Sequence, residues 1–192
     1  MEATYYFDPA CPFTWRTSRW LVAVAPERDL SLRWRAFSLK ILNGDNIPEQ
    51  YRAATDASFR ALRLVEALRA DRREEVAAAF YTEIGTRVHD GGAALTDELV
   101  QEAAEAAGIE DAKAVLDDAS WDDAVRESHE AALALAGPGI GSPVVHVEGA
   151  KRGLHGPIIG AVPEREEALA IWDAVAPLSR IDTFFEVKRG RS

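Results

Sequence analysis

The sequence holds one cysteine, and it stands where a thiol tends to be reactive. The run Phe7-Asp8-Pro9-Ala10-Cys11-Pro12-Phe13-Thr14-Trp15 places Cys11 between a β-prone segment and a helix opened by Pro12. Unpaired backbone N–H groups and the positive end of a helix dipole gather at such a junction and favour the thiolate. The expectation is a Cys11 pKa depressed from about 8.5 into the range of roughly 3.5–7.5, with nucleophilic chemistry at sulfur. A lone cysteine is often just a packed small apolar residue; here its position argues for reactivity. With no second cysteine an internal disulfide is impossible, so a redox cycle needs an external thiol as partner. Thr14, one turn on, is placed to offer its hydroxyl to the sulfur, or is an ordinary first-turn residue.

To position Cys11 the chain needs a strand before it and a helix after it. Residues 3–7 read as a short aromatic and β-branched strand that Asp8-Pro9-Ala10 breaks. In the following helix Thr17, Trp20, Leu21 and Val24 share a face, Arg16 and Arg19 interrupt it, and Pro26 marks its end. Residues 31–37 alternate, with Leu32, Trp34 and Ala36 on one face, so the first 40 residues predict a right-handed β–α–β unit.

Residues 45–136 carry almost no strand signal and predict four or five helices. Val76, Phe80, Ile84 and Val88 form a helical stripe, read as core packing. Thr96 starts a helix that Gly108 stops, and Ser120 with Asp123 reads as a capping box opening a helix to about Ala136. After the loop 137–142, Pro143 leads into a buried strand, Val144-Val145-His146-Val147, and residues 148–151 turn the chain. A second strand is expected over roughly 151–155, closed by Gly156-Pro157. Pro163 opens a last helix to about Pro177, with Leu169, Trp172 and Val175 or Ala176 inward.

The formal net charge of -10 argues against nucleic acid and against an anionic membrane as partners. Local basic groups, Arg16 with Arg19 and Lys188, Arg189 with Arg191, are compatible with one small anionic ligand or with plain solvated surface. No apolar run is long enough to span a membrane, and no signal peptide is visible, so the default expectation is cytoplasmic. His89, His129, His146 and His155 show no metal-ligand spacing, and no Gly-x-Gly-x-x-Gly follows a strand.

Taken in order, these segments resemble the DsbA family of thioredoxin-fold proteins. The similarity is closest to the actinobacterial mycothiol-dependent reductases of the nitroreductase type. Their Phe-Asp-Pro-x-Cys-Pro-Trp-Cys-Trp pattern, followed by Thr-Ser-Arg-Trp, appears here as residues 7–15 and Thr17-Ser18-Arg19-Trp20. The resemblance extends through Ser38-Leu39-Lys40-Ile41-Leu42-Asn43, Ile47-Pro48-Glu49-Gln50-Tyr51-Arg52, Arg87-Val88-His89, Gly141-Ser142-Pro143 and Phe184-Phe185-Glu186-Val187-Lys188-Arg189. One departure matters: Thr14 stands where the family has its second cysteine.

The resemblance implies an α/β thioredoxin fold with a large all-helical insertion: residues 1–44 and 137–192 as the thioredoxin-like domain, 45–136 as the insertion. It implies a cytoplasmic monothiol oxidoreductase that reduces disulfides or electrophilic small molecules. A low-molecular-weight thiol, mycothiol or glutathione, serves as cosubstrate, and no cofactor is held. Cys11, Pro12 and Thr14 are the expected catalytic residues. Phe13, Trp15, Asn43, Tyr51, His89, Ser142 and Pro143 are the expected thiol-binding ones. Pro143 is expected to be cis and to face Cys11, leaving the Ser142 backbone free for an extended thiol ligand. Trp15 and Trp20 serve equally well as core, and His89 as a helix C-terminal residue. Kappa-class glutathione transferases and chromene-carboxylate isomerases are also similar, with Ser-Pro-Tyr-Ser for Cys-Pro-Phe-Thr, and there the first position holds a ligand's thiol. The alternatives are therefore a thiol transferase or isomerase, or a non-catalytic thiol-binding protein, as monomer or homodimer.

Overall fold

The structure, a computed structural model, describes residues 1–190; Arg191, and with it part of the C-terminal basic group, lies outside the described residues. Strand β1 (Glu2–Phe7) runs parallel to β2 (Ser31–Ala36), from Glu2 opposite Ser31 to Phe7 opposite Ala36. Parallel strands need a crossover, and α1 (Pro12–Val24) supplies it. Strand β3 (Val144–Val147) lies antiparallel on the other side of β1, and β4 (Leu154–His155) pairs antiparallel with β3. The sheet order is β2-β1-β3-β4.

Between β2 and β3 run α2 (Leu39–Asn43), α3 (Glu49–Ala70), α4 (Glu74–Gly85), α5 (Asp97–Ala106), α6 (Ala112–Leu116) and α7 (Asp122–Ala136). Helix α8 (Arg165–Leu178) follows β4. The α/β class read from the sequence is what the structure shows. No described helix is long and apolar enough to cross a membrane.

Alternation along the strands divides the core. Ala3, Tyr5, Phe7, Trp34, Ala36, Val145 and Val147 face one cluster with Trp20, Leu21, Val24 and Trp172. On the other face Tyr6 and Val144 pack with Phe37 and with Ala132 of α7. The first cluster continues without a break into α3, α4 and α5 through Leu62, Phe80, Tyr81 and Val100. Tyr81 is the hinge-pin of this continuity, 4.2 Å from Phe7, 5.6 Å from Trp15 and 5.8 Å from Trp34 between ring centres.

The free edge of β2 is not left open. Two of its outward N–H groups are taken by glutamates, Trp34 N–H by Glu74 at 3.2 Å and Ala36 N–H by Glu66 at 2.9 Å. Glu66 is fully buried and also accepts from Arg69 at 2.5 Å.

Several expectations shift in detail. Thr96 does cap α5, accepting from Leu99 N–H at 3.2 Å, and Gly108 with a positive φ of 73° ends it. Ser120 is not a cap: Asp118 accepts its N–H at 2.9 Å in a one-turn 3-10 segment, and α7 starts at Asp122. The expected second C-terminal strand shrinks to Leu154–His155. Pro163 and Glu164 precede α8, which runs one residue past Pro177, and Ala176 rather than Val175 is its buried member. The Val76–Val88 stripe crosses from α4 into a π-helical turn over Thr86–Asp90 that periodicity alone does not reveal.

Candidate active site around Cys11

Cys11 is the N-cap of α1, in extended conformation with φ -90° and ψ 115°. Pro12 has no N–H, and the Trp15 N–H is taken by the Cys11 carbonyl at 3.1 Å. That leaves the Phe13 and Thr14 N–H groups for the sulfur, together with the Thr14 hydroxyl. From the far end of the chain the loop before β3 closes over this point. The Ser142–Pro143 peptide is cis, and the Ser142 carbonyl accepts from Cys11 Sγ at 3.7 Å. The Thr14 and Ser142 hydroxyls, both buried, are bonded to each other at 2.7 Å.

The acidity of this thiol corrects the reading from position. Cys11 is only 8% exposed, and burial pushes its pKa up, above the ordinary cysteine value. The Thr14 hydroxyl and the amides of Thr14 and Phe13 pull it down, and the nearby Asp8 pushes it up again. Burial outweighs the helix start, and the resting group is a thiol that donates its proton to Ser142 O.

Asp8 is the residue whose role the sequence conceals. Its carboxylate is 1% exposed. It accepts from Ala10 N–H at 2.8 Å, Ser58 hydroxyl at 2.5 Å and Leu39 N–H at 2.7 Å. One side chain thus ties the β1–α1 loop to the start of α2 and to α3. Burial raises its pKa despite these three bonds, each of which lowers it. The Asp-Pro motif before Cys11 is the available signal, but Ser58, 50 residues away, has none.

Trp15 and His89 form the flank. Trp15 is buried, donates Nε1–H to Asp90 at 2.9 Å, and lies under the Arg19 guanidinium at 4.2 Å. His89 stacks beside Trp15 at 6.1 Å, and its Nε2 pairs with the Pro9 carbonyl at 2.8 Å. Burial holds His89 below the ordinary histidine pKa. A neutral ring donating Nε2–H to that carbonyl fits both facts. Gly85 lets the indole in: a Cβ there would lie 2.1 Å from the Trp15 ring.

The structure thus gathers Cys11, Thr14, Ser142 and Pro143 at one point, with Pro12 exposed and Phe13 half-buried on the rim beneath Arg16. Trp15 and His89 brace the loop and do not bond the sulfur. Of the other expected thiol-binding residues, the Asn43 amide donates to Leu39 O at 2.8 Å, and Tyr51 is 54% exposed. Among the described residues no group of three or more His, Cys, Asp or Glu side chains is placed to hold a metal ion.

Comparison with known proteins bears on the family and the fold. Residues 10–189 match the profile of a family described as Rv2466c-like, mycothiol-dependent nitroreductase Rv2466c. Protein Rv2286c of Mycobacterium tuberculosis, described as uncharacterized, is 29% identical over 197 residues, 98% of this chain and 81% of its own length. Among solved structures, the cytosolic disulfide reductase DsbM from Pseudomonas aeruginosa with GSH superposes with a TM-score of 0.62 at 14% identity. The match covers 92% of this chain and all of that one. A probable DsbA oxidoreductase from Streptomyces coelicolor gives 0.58 at 20% identity, over 91% of this chain and 90% of its own. A 2-hydroxychromene-2-carboxylate isomerase gives 0.51 at 17% identity, over 94% and 97%. These likenesses establish the DsbA-like thioredoxin fold.

Proposed function

The chain belongs to the Rv2466c-like family of mycothiol-dependent nitroreductases, and from that premise we propose that it is a cytoplasmic monothiol oxidoreductase working through Cys11. Its cosubstrate is a low-molecular-weight thiol, mycothiol or glutathione, and its substrates are disulfides or electrophilic small molecules. The observation that carries this is the contact of Cys11 Sγ with the Ser142 carbonyl, at the amide-rich start of α1 and beside a Thr14–Ser142 hydroxyl pair.

The exchange follows from one protein sulfur. Cys11 loses its proton and attacks a disulfide; that S–S bond breaks, one half stays on Cys11 and the other leaves as thiolate. A small thiol attacks the mixed disulfide and frees Cys11, carrying off the retained half, and a second small thiol completes the reduction. Two small thiols end as one disulfide, and the substrate disulfide ends as two thiols. The Phe13 and Thr14 amides and the Thr14 hydroxyl stabilise the thiolate in the first step. Ser142 and Pro143 hold the peptide-like part of the thiol, as an added strand would.

The test is intact mass after incubation with oxidised mycothiol or oxidised glutathione. One adduct on Cys11, removed by excess thiol, is the expected result. An unchanged mass up to pH 9 overturns the reading.

The raised acidity barrier at Cys11 favours one second reading. In it the sulfur stays protonated and donates to the thiolate of a bound small thiol, as in a transferase or isomerase. Cys11→Ser separates the two. The serine keeps the donor and the second activity, and it abolishes disulfide exchange.

A further inference from the structure

We propose that a pocket between β2 and the α3–α4 turn is a binding site for a small phosphate-bearing anion, distinct from the Cys11 site. The cavity is about 270 Å³ and is lined by Thr4, Arg33, Arg35, Arg69, Arg72 and Glu74. In a chain of net charge -10, four arginines drawn from three elements meet in this one place.

Their partners do not balance them. Arg33 pairs with Glu2 at 2.8 Å and reaches Glu74 at 3.7 Å, and Arg69 pairs with Glu66 at 2.5 Å. Among the described residues Arg35 and Arg72 pair with no carboxylate. Arg35 bonds the Ser128 hydroxyl at 3.2 Å and lies over the Tyr6 ring at 5.6 Å. Arg69 and Arg72 also suit the negative end of α3. That accounts for those two, and strand alternation, which sends Trp34 and Ala36 into the core, puts Arg33 and Arg35 of β2 on the opposite face; neither effect by itself requires all four guanidinium groups to border one cavity.

Like charges held together are unfavourable unless an anion joins them. Planar guanidinium forks match phosphate oxygens in pairs, which an ammonium does not. The volume lies just below the usual range for ligand pockets, roughly 300 to 1,000 Å³. It is of a size for a phosphate or phosphomonoester head. Thr4 adds a hydroxyl to the lining.

The test is calorimetric titration of the full chain with inorganic phosphate and with glycerol 3-phosphate, at constant ionic strength against chloride. Saturable binding is expected, weakened about tenfold or more by Arg72→Ala. Arg72 is exposed, so the variant's fold is checked simply by circular dichroism. Arg35→Gln, which can still donate to Ser128, is expected to weaken it likewise. Tighter binding of the ester identifies a phosphorylated metabolite, and tighter binding of the free ion identifies phosphate itself. Cys11→Ser is expected to leave the titration unchanged. No saturable binding beyond the chloride control, or binding in both arginine variants as tight as in the unmodified chain, overturns the site; loss in Cys11→Ser overturns its independence.

Discussion

The Thr14 hydroxyl is the one side-chain donor that draws the Cys11 pKa down, and it is also bonded to Ser142. Thr14→Val removes both interactions while keeping the shape. The thiol pKa then rises further, and alkylation by iodoacetamide at pH 7–8 slows. Ser142 loses its buried partner, at a stability loss of about 1–3 kcal/mol in urea melts. An unchanged alkylation rate would show that the hydroxyl gives the sulfur nothing. In the unmodified chain the alkylation rate climbs with pH, and its midpoint lies above the value of about 8.5 for a free cysteine. A midpoint below that value would restore the depressed thiolate expected from position alone.

Asp8 acts at the scale of elements, fastening the β1–α1 loop to α2 and α3. Asp8→Ala leaves the Leu39 N–H without its acceptor, reduces the Ala10 N–H to its 3.2 Å bond with the Ser58 hydroxyl, and is expected to lose about 2–4 kcal/mol in denaturant melts. Because the folded pKa of Asp8 is raised, the folded chain holds that proton longer than the unfolded one. Its contribution is fully present below about 4 and falls as pH climbs through the folded pKa, and Asp8→Asn is expected to erase that slope. Gly85→Ala drives a methyl into the Trp15 ring, which Asp90, Arg19 and Tyr81 hold in place. A loss of about 1–3 kcal/mol is expected. Local chemistry made much of this legible: Pro12 at the start of α1, Thr96 as a cap, Gly108 as a stop, the Trp20–Val24 face. What stayed hidden depends on partners far along the chain. The loop that buries Cys11 arrives 131 residues later, and His89 reaches Pro9 across 80. No local pattern reports the desolvation that such closure imposes, and it is this desolvation that opposes the thiolate favoured by the helix start.

At the scale of the whole molecule, the sheet and the helices between β2 and β3 share one apolar cluster through Tyr81, Phe7 and Trp34. Unfolding is therefore expected to be a single transition, with near- and far-ultraviolet circular dichroism coinciding; two separated transitions would contradict it. Acid weakens the fold by a defined route. His129 is buried, its Nδ1 accepts the Ser38 N–H at 3.2 Å, and burial holds its pKa low, as it does for His89. Both stay neutral in the folded chain while the unfolded chain takes up protons below about 6.5. The stability they contribute is present above that pH and is lost as pH falls through it toward the folded pKa values. His129→Gln is expected to flatten the decline between pH 7 and 5 in melting temperature.

The two glutamates on the outer side of β2 also set a limit on how copies of this chain can meet. A neighbouring strand seeking to extend the sheet there finds two of its docking amides already answered, and the buried Glu66 carboxylate in its path. Growth by strand addition is left only the β4 side, where the ordered segment is two residues long. The sheet is terminated at four strands by side chains rather than by a closed barrel. Replacing Glu66 would therefore expose an adhesive margin as well as loosen the core.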